Sequence, residues 1–139
     1  MAVGKPAREA QQLFFQIGME HRQRVGGSLG ELGLTFVQAH ALRQLDPEQP
    51  IPMSSLAEKL FCDASNVTGI ADRLESRKLV ERRAADGDRR VKALALTEEG
   101  AQLRERVLEI MTEPPPAIAR LSKSDQKALR DILRRAVSA

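Results

Sequence analysis

The chain has 139 residues, of which 42% are apolar and 29% charged, with a net charge of +3 and a single cysteine. That length suffices to bury a core, one cysteine excludes an intramolecular disulfide framework, and no apolar run approaches the roughly 20 residues that span a bilayer. The absence of Trp and Tyr disfavours single-stranded nucleic acid held on aromatic platforms. No apolar stretch followed by a small-residue cleavage site opens the chain, so a cytoplasmic protein is expected.

Taken in order, Pro6 suits a first helical position, and Ala10, Leu13, Phe14 and Ile17 recur at i, i+3, i+4, i+7. They predict a first helix that ends at Gly26-Gly27. Phe15 falls off that stripe, which fits either a partner chain or a wide buried face. A loop through Gly30 and Gly33 leads to Thr35-x-x-Gln38, a capping-box pattern that opens a second helix with Val37, Ala41, Leu42 and Leu45 inside. Asp46, Pro47, Pro50 and Pro52 stop it. Ser54 or its neighbour caps a third helix that buries Leu56, Ala57 and Leu60. Asp63 caps a fourth, with Val67, Ile70, Ala71 and Leu74 inward. Ser65, Asn66, Thr68, Gly69, Asp72, Arg73, Ser76 and Arg77 are left facing out.

Leu79-Val80 to Arg83 and Val91 to Leu96 read as short strands, with Asp86-Gly87 turning between them. Thr97 caps a fifth helix, and Glu98 and Glu99 in its first turn complement the helix dipole. Its apolar stripe is Leu103, Val107, Ile110 and Met111. Pro114-Pro115-Pro116 must break or sharply bend it. Ser122-x-x-Asp125 caps a last helix with Leu129, Ile132, Leu133, Ala136 and Val137 on one face.

Two helices joined by a tight turn and followed by a charged hairpin form a winged helix-turn-helix, in a mainly α (α+β) chain. Short hydrogen-bonding groups at the start of the fourth helix (Ser65, Asn66 and Thr68) suit base edges in a major groove, and Gly69 lets the backbone approach. Arg73 and Arg77, further along, suit phosphates, which set register rather than sequence. The hairpin adds Arg89 and Arg90 at its tip. Arg82 and Arg83 on its stem are phosphate partners or simply a solvated face. Between Ala64 and Lys92 eight Lys or Arg stand against five Asp or Glu, so the whole excess of positive charge falls in this stretch.

The segments LAEKL, VTGIADRLESRKLVER and DGDRRVKALALTEEG, with GLTFVQAHAL before them, resemble the MarR family of bacterial transcription regulators. The last of the first three matches that family's D-x-R…L-T-x-x-G wing signature through Asp88, Arg90, Leu96, Thr97 and Gly100. The resemblance implies one domain over 1–139, with a winged helix-turn-helix at about 35–96. Helices at about 6–27 and 97–138 would form a dimerisation pedestal. It implies a homodimer on a pseudo-palindromic duplex operator, usually a repressor released by a small ligand or by oxidation. It also suggests that Arg89 or Arg90 enters the minor groove. Asp72 matches the family acid that pairs with the arginine of the D-x-R motif, here Arg90. The expectation is therefore an Asp72–Arg90 tie, assisted by Asp88, that leaves Arg89 freer for DNA.

His21 and His40 have no nearby His, Cys or acid at metal-ligand spacing, so no metal or cofactor is expected. The resemblance implies an effector pocket between pedestal and winged helix, which His21 and His40, with Arg43 and Arg104, are candidates to line for an anionic or aromatic ligand. Cys62, in the turn between the third and fourth helices, is either a small packing residue or a redox sensor. No nucleophile–base pair or phosphate loop suggests an enzyme. A winged helix used for protein–protein contact is the remaining rival.

Overall fold

A computed structural model describes residues 2–85 and 87–139. Along them run α1 (Lys5–Glu31), α2 (Phe36–Gln44), β1 (Ile51–Pro52), α3 (Met53–Lys59), α4 (Ala64–Ser76), β2 (Val80–Ala85), β3 (Asp88–Leu96), α5 (Glu98–Thr112), α6 (Pro116–Ala119) and α7 (Lys123–Ser138). The architecture is mainly helical with one antiparallel sheet in the order β1-β3-β2, the class expected from the sequence. Two compact units result: Val25–Thr112, and the residues up to Arg24 together with Glu113–Ala139.

The Val25–Thr112 unit holds the core. Leu29, Leu42, Leu45, Leu56, Val67, Leu74, Val80, Leu94 and Val107 are its largest fully buried side chains. Each such burial contributes roughly 1.5–3 kcal/mol. The same packing explains why α1 does not stop at Gly26-Gly27 but continues to Glu31. Val25 and Leu29, four residues apart, both lie in this core. Their burial outweighs the cost of about 1 kcal/mol that each helical glycine carries. The helix ends where Gly33 takes φ +72°.

Thr35 and Gln38 close both halves of a capping box at 3.2 Å each. Val37, expected inside α2, is instead 52% exposed. It sits on the margin of the face formed by Ala39, Ala41, Leu42 and Leu45. Ser54 does not cap α3. The helix starts directly after Pro52, with no side-chain cap, because Ile51 and Pro52 pair as an edge strand with Leu94 and Ala93. The prolines had suggested only a helix stop. Proline is tolerated on an edge strand, where its missing N–H is not needed.

In the hairpin, Val80 faces Leu96 and Arg82 faces Leu94, with a bulge between Ala84 and Ala85. Gly87 of the expected turn has φ +84°. Its neighbour Asp86 lies outside the described residues. After β3 the chain is fastened to the residues that lead into the hairpin. The Thr97 hydroxyl donates to the Lys78 carbonyl at 2.6 Å and accepts from the Gly100 N–H at 3.0 Å. The Leu79 carbonyl accepts from the Thr97 N–H at 3.1 Å. A Cβ on Gly100 would fall 1.8 Å from that same carbonyl oxygen. So α5 packs with the winged helix, although the resemblance had grouped it with the last helix.

In the other unit the three prolines end α5 at Thr112 and begin the short α6 at Pro116. Ser122 caps α7 by accepting from the Asp125 N–H at 3.1 Å. Gln126 Nε2 donates to the carbonyls of Ala119 and Leu121, each at 3.1 Å. Among the described residues of this unit none is buried. Leu13, Phe14, Phe15, Ile132 and Val137 are all more than half exposed.

Candidate nucleic-acid interface

The interface is built on α4. Asp63 caps it, accepting from the Asn66 N–H at 3.0 Å and the Ser65 hydroxyl at 2.8 Å. These two bonds, the backbone one first, hold the Asp63 carboxyl below its ordinary value. Val67, Ile70, Ala71 and Leu74 anchor the inner face. The anchoring leaves Ser65, Asn66, Thr68 and Arg73 exposed on the outer one. Thr68 returns its hydroxyl to the Ala64 carbonyl at 3.0 Å, a bond that still leaves its oxygen able to accept. A Cβ on Gly69 would meet nothing within 4 Å. Internal packing therefore gives no reason for glycine there, and the surface is open to a close backbone approach.

Several arginines lie elsewhere than the sequence suggested. Arg77 is engaged within the protein. Its guanidinium donates to the carbonyls of Gly33 at 2.9 Å and Leu32 at 3.0 Å, fastening the end of α4 to the loop after α1. Arg82 is not a solvated charge. It is half-buried, with Nη2 at 2.5 Å from Asp72 Oδ1 and Nη1 at 2.7 Å from Glu75 Oε1. The Asp72 hydrogen bond is the main cause that pushes the Arg82 pKa up.

The expected Asp72–Arg90 tie is thus corrected. Helix and wing are joined, but by Arg82, and Arg90 pairs with Asp88 at 3.3 Å on the wing itself. The reason is local. Asp72 and Glu75 lie three residues apart on one face of α4, and two carboxylates attract one half-buried guanidinium more than one does. Arg82 also shares the inward phase of the buried Val80 on β2. That alternation, with the spacing of the two acids, is the sequence signal that marks the tie.

The wing keeps its exposed charge. Arg90 is 91% exposed despite its Asp88 partner, and Arg89 is exposed beside it. Arg83 is exposed and paired with Glu81. Cys62, half-buried, packs against the core as an apolar group would.

The residues considered for an effector divide between the two units. His21 lies in the terminal unit, in a cavity of about 140 Å³ lined by Ile17, Glu20, Arg24, Pro115 and Arg120 among others. Its Nδ1 is buried without a partner. His40, Arg43 and Arg104 belong to the Val25–Thr112 unit, where Arg104 donates to the Arg43 carbonyl at 3.3 Å. Among the described residues no three His, Cys, Asp or Glu side chains are grouped so as to hold a metal ion. No helix there is long and apolar enough to cross a membrane.

Four similarities to known proteins accompany this geometry. The model of the MarR family matches residues 34–92, a span that begins just before the α2 cap and ends in the wing. An organic hydroperoxide resistance transcriptional regulator of Bacillus subtilis is 30% identical over 104 residues, covering 75% of this chain and 68% of that one. The transcriptional repressor MdtR of the same organism is 38% identical over 81 residues, covering 58% of this chain and about half of its own length, 52%. Among solved structures, a mutant of S. aureus MepR bound to an oligodeoxyribonucleotide superposes with a TM-score of 0.67 at 26% identity, covering 93% of this chain and 96% of that one.

Proposed function

This chain belongs to the MarR family of transcription regulators, and from that premise we propose that it acts as a homodimeric repressor on a pseudo-palindromic duplex operator. The observation that carries the reading is the pairing of an exposed polar α4 start with an exposed basic wing tip, joined through Arg82. Ser65, Asn66 and Thr68 meet base edges, while Gly69 admits the backbone. Arg73 takes a phosphate. Arg89 enters the minor groove beside the wing, and Arg90, steadied by Asp88, stays close to the backbone.

The apolar faces of α1 and α7 support the dimer. A unit that buries none of its described residues cannot hold itself together by the hydrophobic effect, and contiguous exposed stripes of that kind mark an interface. Two of the similar proteins support the rest: MdtR is named a repressor, and the S. aureus MepR mutant is bound to an oligodeoxyribonucleotide. Release by a small anionic or aromatic ligand fits the cavity beside His21, where Arg24 and Arg120 supply positive charge.

Selection from a random duplex pool tests the reading. One sequence with two-fold symmetry should be enriched, with half-sites about 34–36 Å apart. Enrichment of nothing above background would refute it.

A further inference from the structure

The turn between α3 and α4 contains an unexplained ring. The N–H of Cys62 bonds to the Ala57 carbonyl at 3.1 Å and that of Phe61 to the Glu58 carbonyl at 3.2 Å. This pair of bonds is a Schellman motif, with Phe61 at the left-handed position that glycine ordinarily fills. Phe61 has φ +53° there. For a bulky side chain that conformation is strained. Burial does not offset the cost, because the ring is 96% exposed, more than any other large apolar side chain described. The fold uses the left-handed turn but not a bulky side chain in it, and a strained residue kept without a packing role points to function.

The ring's place names its partner. Phe61 stands two residues before Asp63, the cap of α4. In a helix-turn-helix the N-terminal residues of the second helix meet base edges in the major groove, so the preceding turn lies at that groove's margin. The one apolar group a base pair displays there is the thymine C5-methyl, and an aromatic ring suits it. We propose that Phe61 is a specificity-determining DNA contact whose ring packs on a thymine methyl at the edge of each half-site. This rests on the duplex-binding reading of α4.

The test uses the full chain and a duplex recovered by selection from the random pool. Phe61→Gly should raise the melting temperature by about 2–4 °C, because it relieves the backbone. It should also lower affinity about tenfold. Phe61→Asn, which tolerates the same φ, should lower affinity equally. Replacing one particular thymine per half-site by deoxyuridine, which removes only the methyl, should weaken the wild type by a similar factor and leave Phe61→Gly unchanged. A wild type indifferent to every such replacement overturns the inference, as does a Phe61→Gly variant that binds as tightly as the wild type. A Phe61→Gly chain that turns monomeric overturns it too, because the ring would then serve a second copy. If the wild type selects no duplex, the DNA-binding reading falls first and this one with it.

Discussion

At the residue scale, arginines of one chemistry do three different jobs, and only their surroundings separate them. Arg77 fastens a loop, Arg82 joins helix to wing, and Arg89 and Arg90 stay in solvent. Replacing Arg82 by Ala should therefore lower both stability and duplex affinity. We expect a stability loss of about 1 kcal/mol, because ion pairs with partly exposed acids are worth little. Arg89→Ala should weaken duplex binding and leave the melting temperature unchanged. Chemical denaturation beside fluorescence anisotropy separates the two, and equal stability effects would show that Arg82 carries no tie. Gly100→Ala is the severe case. A methyl group 1.8 Å from the Leu79 oxygen forces α5 off the hairpin, so a loss of roughly 3 kcal/mol or more is expected. A soluble, wild-type-like Gly100→Ala protein would contradict it. In the sequence that glycine carried only a motif match, because steric necessity depends on a partner 21 positions away.

At the element scale, periodicity located every long helix, and side-chain caps fixed their starts at Thr35, Asp63, Thr97 and Ser122. Signals that depend on a distant segment were not legible. The continuation of α1 past Gly26-Gly27 is decided by Val25 and Leu29 entering a shared core, and β1 exists only because β3 offers it an edge. The Asp63 cap makes a pH prediction. Its carboxyl is depressed by the Asn66 N–H and the Ser65 hydroxyl. Its stabilising contribution is therefore complete above the unfolded value, near pH 3.9, and fades as pH falls through the lower folded one. Asp63→Asn keeps a cap without the titration. Acid unfolding followed by circular dichroism should show a shallower loss below about pH 4 in the variant. Identical acid limbs would remove Asp63 from the account.

At the scale of the whole molecule, a compact winged-helix unit and a terminal unit that buries none of its described residues share one chain. The stripes of α1 and α7 were plain in the sequence, but whether a stripe meets its own chain or another is not a local property. If a second copy covers them, Phe14→Glu should shift the sedimenting species from dimer to monomer. It should also weaken operator affinity by at least a hundredfold, because two linked half-sites become one. The central claim is that this surface neutralises duplex phosphates, and the dependence of affinity on salt tests it most directly. Plotted as log K against log salt, wild-type binding should fall along a steep straight line, with a slope of about −0.9 for every phosphate neutralised. Replacing Arg73 and Arg90 by Ala should make that line shallower, by about 0.9 for each phosphate that no longer meets a guanidinium. A flat line, unmoved by those substitutions, would contradict the account.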